Sequence, residues 1–219
     1  MASRIVFQLP PKGLFTPNHG DDDPLPYYYK PITGYLYIKR IQSGLNLISG
    51  QIFENALEFG YGSGILLPSL AGISHNLYGI DITSDPVTVN NSLSKLNIKA
   101  HLRNEDILAV KYPTDFFDII VSFSTFEHIA EPDKILQEMH RILKSNGKLL
   151  VGMPKVSKAM EKLFALIGYN DINKHHVTSH KDFISAAGNY FKLERRNRLF
   201  RFLPEAASLY FNMLFSKKN

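Results

Sequence analysis

Residues 54–64 read ENALEFGYGSG, and this stretch decides the fold. ENALEF has the character of a short apolar strand. Gly60, Gly62 and Gly64 alternate behind it, and ILLPSL (65–70) then opens a helix. Glycine tolerates positive φ and lets backbone pass close to a ligand. The N-terminus of the helix that follows attracts negative charge. The spacing is G-x-G-x-G with Ile65 at the next position. The dinucleotide fingerprint G-x-G-x-x-G requires glycine there, and the phosphate loop of nucleotide hydrolases requires a Lys-Ser/Thr pair that does not follow.

Working outward, strand and helix keep alternating. NLYGID (76–81) is a second strand, and Asp85 is placed to cap the helix after it. IKAHLRN (98–104) is a third strand. FDIIVSF (117–123) is a fourth, with the continuous apolar character of a strand buried on both faces. Residues 132–144 carry a helical stripe through Ile135, Met139, Ile142 and Leu143, which Asn146-Gly147 is expected to end with a turn before a fifth strand, KLLVGMP (148–154). The pattern predicts an α/β fold around a parallel sheet. Beyond Pro154 it loosens. Residues 155–168 read as helix and 170–180 as loop, Ser179 caps HKDFISAAGNY, and FKLERRNRLF (191–200) alternates like a sixth strand. The tail LPEAASLYFNMLFSKK supports two readings: a helix stripe through Leu203, Ala207, Tyr210, Phe211, Leu214 and Phe215, or a closing strand LYFNMLF.

On the N-terminal side, residues 1–26 are rich in Pro, Gly and Asp, include the run Asp21-Asp22-Asp23, and read as an irregular arm. Apolar residues at Tyr35, Ile38, Ile41 and Leu45 predict an amphipathic helix starting after Pro31. Residues 1–50 are thus expected to form an arm and helix able to act as a lid, and residues 51–219 the ligand-binding domain.

An acid at the tip of the second strand, Asp81, can accept hydrogen bonds from both hydroxyls of a ribose. Asp106, in NEDI (104–107) just past the third strand, can accept from the exocyclic amine of adenine. A glycine turn alone describes only a tight turn; a glycine turn with acids at the next two strand tips points to a nucleoside-containing cofactor.

These residues resemble the class I S-adenosylmethionine-dependent methyltransferases, especially the small-molecule branch similar to ubiquinone and menaquinone methyltransferases. ALEFGYGSG matches the first motif, YGIDIT the second and NEDI the third, and FDIIVSFSTFEHIAEPDKILQEMHRILKSNGKLLVGMP matches the block from fourth to fifth strand. The resemblance covers about residues 50–155, continues more weakly to about residue 200, and departs from the usual pattern at Glu58, where Asp is commoner, and at Tyr61, where a small residue is commoner. It implies a three-layer Rossmann-like fold, a mostly parallel seven-stranded sheet with helices on both faces and the last strand antiparallel. It also implies S-adenosyl-L-methionine as cofactor. Carried over, Glu58 and Phe59 support the loop, with Glu58 near the methionine amino group. Gly60, Tyr61, Gly62 and Gly64 face the methionine and ribose. Asp81 binds the ribose, with Ile82 beside the adenine. Asp106 binds the adenine amine and Ile107 covers the ring, while Ser122 and Phe123 line the methionine end.

The acceptor side is less sharply drawn. Removing a proton from a hydroxyl acceptor calls for a base, and histidine is the usual candidate. His128 and His176 are the candidate catalytic residues, and Tyr28, His175 and His180 the candidate substrate contacts. For His128 the competing reading is a loop-ordering hydrogen bond, and for Tyr27, Tyr28 and Tyr29 it is packing of the arm. Glu127 reads as a loop anchor. No metal is expected, because no carboxylate joins the histidines at convincing ligand spacing.

With 219 residues, 44% hydrophobic and 21% charged, the chain suits one compact domain. The absence of cysteine excludes a disulfide scaffold, a thiolate zinc site and a cysteine nucleophile. No apolar run reaches the roughly 18 residues of a membrane span. MASRIVFQLPPKGLF is too broken by proline and charge for a signal peptide, so a cytoplasmic protein is the expectation. Residues 1–140 hold 10 Lys+Arg and 15 Asp+Glu (−5), whereas residues 141–219 hold 15 and 5 (+10). The basic C-terminal third suggests an anionic neighbour. Arg195, Arg196, Arg198 and Arg201 before the aromatic tail would suit peripheral contact with an anionic membrane if the tail were a surface helix; a core-packed final element is the competing reading. Nucleic acid is disfavoured, since no interleaved aromatic–basic motif is present. The functional expectation is methylation of a small-molecule, glycan or lipid-like acceptor at a hydroxyl. A catalytically silent subunit that binds the cofactor and supports a partner is the alternative, and a nicotinamide-dependent oxidoreductase is opposed by the missing glycine.

Overall fold

The computed structural model describes residues 5–18, 23–155, 177–200 and 208–218. The helices are α1 (Pro31–Leu45), α2 (Leu67–Ala71), α3 (Pro86–Ser94), α4 (Pro132–Ile142) and α5 (His180–Ala187). The strands are β1 (Phe53–Phe59), β2 (Ser74–Asp81), β3 (His101–Asn104), β4 (Phe117–Phe123), β5 (Leu143–Pro154), β6 (Phe191–Arg198) and β7 (Tyr210–Lys217). All seven strands share one sheet in the order β3-β2-β1-β4-β5-β7-β6. Strands β1 to β5 pair in parallel, and β7 runs antiparallel to both neighbours, β5 and β6. This is the mostly parallel, Rossmann-like methyltransferase architecture that the sequence implied.

Successive strand residues point to opposite faces, and here both faces are covered. Ala56, Ile119, Val121, Leu150 and Leu214 join an apolar cluster with α1, α2, α3 and the N-terminal arm. Leu57, Ile120, Leu149, Val151 and Met213 join a second cluster with α4 and α5. That double burial is why FDIIVSF reads as an unbroken apolar run.

Local chemistry sets the helix starts. Pro86 follows Asp85, whose carboxylate accepts from the N–H groups of Val87 and Thr88. At α5, Ser179 and Asp182 form a reciprocal capping box. Two expectations need correction, and one open reading is decided. The stripe of α1 is turned: Tyr35 is 54% exposed, and the buried face runs through Tyr37, Ile41, Gly44 and Leu45. Gly44 causes this, because its missing side chain lets the helix settle on Phe123 and Asn212. Next, α4 stops at Ile142, where Leu143 turns extended and pairs with Phe117. Asn146-Gly147 therefore lies inside β5, at a register shift, rather than ending the helix. Of the two readings of the tail the strand holds: it is β7, inserted between β5 and β6, with Phe211, Leu214 and Phe215 each 1% exposed. A buried strand presents no apolar face to a bilayer, so the surface-helix layout is not formed. Among the described residues no helix is long and apolar enough to cross a membrane. The helix expected over residues 155–168 lies almost wholly outside the described residues.

Candidate active site

In a parallel sheet the ligand crevice opens at the carboxyl ends of the strands. Here that edge collects Glu58 to Gly64 after β1, Asp81 to Asp85 after β2, Asn104 to Asp106 after β3, Ser122 to His128 after β4, and the start of β7 beside Gly152.

The glycine loop leaves β1 with Gly60, Gly62 and Gly64 all at positive φ. At Gly60 a Cβ would collide with the Thr125 side chain; at Gly64 it would press on Val89 and Phe15. The loop is thus clamped between the turn after β4, helix α3 and the arm. The arm adds a hydrogen bond from Asn18 Nδ2 to the Gly62 carbonyl at 3.3 Å. Its Ile5, Phe7 and Phe15 are buried in the same cluster as α1 to α3.

Asp81 is 8% exposed. Its Oδ2 accepts from Gly62 N–H at 3.0 Å, and Oδ1 accepts from Thr83 N–H at 2.9 Å and Ser84 N–H at 3.0 Å. The loops after β2 and β3 are joined in turn, since Asn104 Nδ2 donates to the Ser84 carbonyl and Glu105 N–H to the Asp81 carbonyl. Ile82 is 70% exposed at this edge. Asp106 is exposed, with Oδ1 accepting from Leu108 N–H at 2.9 Å.

Glu58 is 4% exposed, and its Oε2 has no hydrogen-bond partner. Burial, reinforced by the Asp81 charge, pushes this carboxyl well above the usual range. A buried unpaired carboxyl is costly, and its place beside the glycine loop marks a position for a donor.

Several expected contacts are buried in the protein, Tyr61 and Ile107 among them. Tyr61 is 2% exposed, packed against Gly79 with its hydroxyl donating to the Ser84 carbonyl at 3.2 Å. Its ring therefore braces the loop from below and offers the crevice almost no surface. Ile107 is 1% exposed within the second apolar cluster, which leaves it little surface with which to cover a ring. Phe59 and Phe126 stack obliquely at 5.5 Å beneath the loop. Ser122 is fully buried with an unpartnered Oγ, and the Phe123 ring lies against Gly44 and Gly152.

The turn after β4 is tightly built. Ser124 has φ of 57°, uncommon for a residue with a Cβ. Its N–H donates to the Gly152 carbonyl at 2.8 Å, and its hydroxyl meets the Tyr210 hydroxyl at 3.0 Å. Glu127 is 2% exposed, with Oε2 unpartnered. His128 is exposed, its N–H donating to the Thr125 carbonyl at 3.0 Å. His180 is 6% exposed and stacked on Phe211 at 4.6 Å. Tyr28 is 4% exposed and edge-on to Tyr37 at 5.1 Å. His175 and His176 lie outside the described residues. Among the described residues, no group of three or more His, Asp or Glu side chains is gathered for a metal.

The structure adds Arg40, Tyr210 and Asn212, which the sequence reading did not single out. The Arg40 guanidinium lies 4.0 Å from the Tyr37 ring centre and 5.2 Å from that of Tyr210, and Nη2 donates to the Tyr28 hydroxyl at 3.4 Å. Its Nε is buried without a partner, and among the described residues it makes no ion pair. Asn212 is fully buried, donates to the Arg40 carbonyl at 3.1 Å, and leaves Oδ1 unpartnered. A signal was present: Arg40 lies three residues after Tyr37 and four before Gly44, a cation on the buried face of α1.

Sheet order, crevice and glycine loop together form the Rossmann-like fold of the class I S-adenosylmethionine-dependent methyltransferases. Residues 57–151 match the family described as "Methyltransferase domain". Among curated proteins, the chain is 33% identical over 109 residues to a ubiquinone biosynthesis O-methyltransferase of Glaesserella parasuis, covering 47% of this chain and 46% of that one. It is 27% identical over 149 residues to the protein of the same name from Pseudoalteromonas translucida, covering 65% and 62%. The chain thus spans about half to three-fifths of these relatives. Among solved structures, the N-methyltransferase NodS of Bradyrhizobium japonicum, in complex with S-adenosylhomocysteine, superposes with a TM-score of 0.65 at 17% identity, covering 92% of this chain and 95% of that one.

Proposed function

We propose that this chain moves a methyl group from S-adenosylmethionine to a hydroxyl of a small-molecule acceptor. When bound, the cofactor supplies an electrophilic methyl on a sulfonium. The observation that carries the reading is a pair of buried polar atoms without hydrogen-bond partners: Glu58 Oε2 at the end of β1 and Nε of Arg40 on α1. A methionine moiety has the complementary pair. Glu58 accepts from its ammonium and Arg40 donates to its carboxylate. Asp81, already oriented by Gly62, Thr83 and Ser84, holds the ribose. Ile82 flanks the adenine, and exposed Asp106 receives its amine. Fixing both ends of the cofactor aims the methyl past the end of β4, where orientation alone contributes much of the rate. The family match over residues 57–151 supports the transfer, and the printed names of the two curated relatives support oxygen as the acceptor atom.

Calorimetric titration of the protein with S-adenosylmethionine, S-adenosylhomocysteine and NAD tests this. Saturable binding of the two sulfur compounds without NAD is expected. Binding of NAD alone, or of none, overturns it.

A further inference from the structure

The cofactor reading employs Glu58, Arg40 and Asp81 and leaves one buried carboxyl without a task. Glu127 lies in a short 3-10 turn, Phe126–His128, two residues past Thr125, whose side chain rests on Gly60. Its carbonyl receives the N–H groups of Val177 at 2.8 Å and Thr178 at 3.2 Å, so the backbone here is pinned. The side chain is nonetheless left with an unpartnered oxygen at 2% exposure. Ser122 Oγ near the end of β4 and Asn212 Oδ1 near the start of the antiparallel β7 are also buried and unpartnered. Buried polar atoms are normally satisfied, and three orphans at one strand edge point to a polar ligand group arriving there. The strained Ser124 adjoins the same turn, as strained residues do at functional sites.

The groups whose charge Glu127 feels are Arg40 from α1 and Tyr210 from β7. Tyr28 and Tyr37 surround Arg40, and His180 heads α5 two residues after Thr178, whose N–H donates to the Glu127 carbonyl. Burial raises the Glu127 carboxyl to about 8, while Arg40 draws it down. A second positive charge arriving beside it draws it down further.

Resting on the methyl-transfer reading, we propose that Glu127 takes the proton of the acceptor hydroxyl. The acceptor O–H bond breaks, and its proton goes to Glu127 Oε2. The oxygen–methyl bond forms as the methyl–sulfur bond breaks, and that electron pair returns to sulfur. The positive sulfonium and the negative carboxylate are neutralised together, so charge and protons balance. Glu127 is accordingly ionised opposite a sulfonium and protonated opposite the neutral thioether of S-adenosylhomocysteine.

That difference is measurable without an acceptor. Wild type and Glu127→Gln are titrated with S-adenosylmethionine and S-adenosylhomocysteine in buffers of different ionisation enthalpy near neutral pH. Glu58 faces the ammonium common to both ligands and contributes equally to both. Wild type should release more protons with the sulfonium than with the thioether, by up to about one. Glu127→Gln, which imitates the protonated form, should abolish the difference and bind S-adenosylhomocysteine as wild type does. A difference that persists in Glu127→Gln, or is missing from wild type, overturns the proposal. If Glu127→Gln does not fold, Glu127→Asp replaces it and should retain the sulfonium-dependent release; its loss there with both ligands still bound counts against the role. A purely structural Glu127 would change stability and leave the difference intact. If neither ligand binds wild type, the methyl-transfer reading itself fails and this one with it. If both bind without a proton difference, only the role of Glu127 fails.

Discussion

Asp81 Oδ2 accepts the Gly62 N–H at 3.0 Å across the gap between two loops. With Oδ1 held by Thr83 and Ser84, one carboxylate sets the spacing between the glycine loop and the tip of β2. Asp81→Ala removes that tie together with the proposed ribose ligand. Binding of S-adenosylmethionine and S-adenosylhomocysteine should weaken by about 2–3 kcal/mol, roughly 30- to 150-fold, in calorimetric titration. Asp81→Asn, which keeps one acceptor oxygen, should fall between.

Arg40 should discriminate by the cofactor's carboxylate. A charge-assisted hydrogen bond contributes about 1.5–3 kcal/mol. Arg40→Leu should therefore lose roughly 10- to 150-fold in affinity for S-adenosylmethionine. Decarboxylated S-adenosylmethionine should bind wild type and variant alike. A variant that weakens both ligands equally would show that Arg40 acts on the loops rather than on the carboxylate.

Two glycines separate strain from collision. Gly13 has φ of 83° with open space around it, whereas Gly60 has φ of 78° with Thr125 in the way. Gly13→Ala should cost only the backbone term, about 1–2 kcal/mol. Gly60→Ala should cost more, and urea unfolding of the two variants gives the difference.

Stability should carry a pH signature from Glu127. Burial raises its carboxyl from 4.5 to about 8, so the folded chain holds a proton that the unfolded chain releases. Its contribution is complete below the unfolded value and is lost as pH rises from about 4.5 to about 8. Across that window the melting temperature of wild type should fall relative to Glu127→Gln, and the gap should level off above it. Asp85 has the opposite sign: hydrogen bonds from Thr88 and Val87 lower its pKa, so its contribution is lost as pH falls through the acid range. Thermal melts of Asp85→Asn should diverge from wild type at neutral pH and converge with it in acid.

Features set by neighbours in sequence were legible in the chain itself. The limits of β4, the caps Asp85 and Ser179, and the succession of strand tip, glycine loop and acid all follow from side chains within a few residues of one another. Burial on both faces made β4 legible, because a strand covered twice carries an unbroken apolar run. Tertiary packing decided the rest. LYFNMLF satisfies a helix and a strand equally, and the gap between β5 and β6 selected the strand. The α1 stripe was set by Gly44 meeting Phe123, a contact between residues far apart in the chain. Arg40, Glu127, Tyr210 and Asn212 acquire their character only where α1, the turn after β4 and β7 converge, since burial and the electrostatic neighbourhood are properties of assembled surfaces. Period and capping are short-range physics and are written into the sequence, whereas desolvation and charge proximity arise only when the chain has closed on itself.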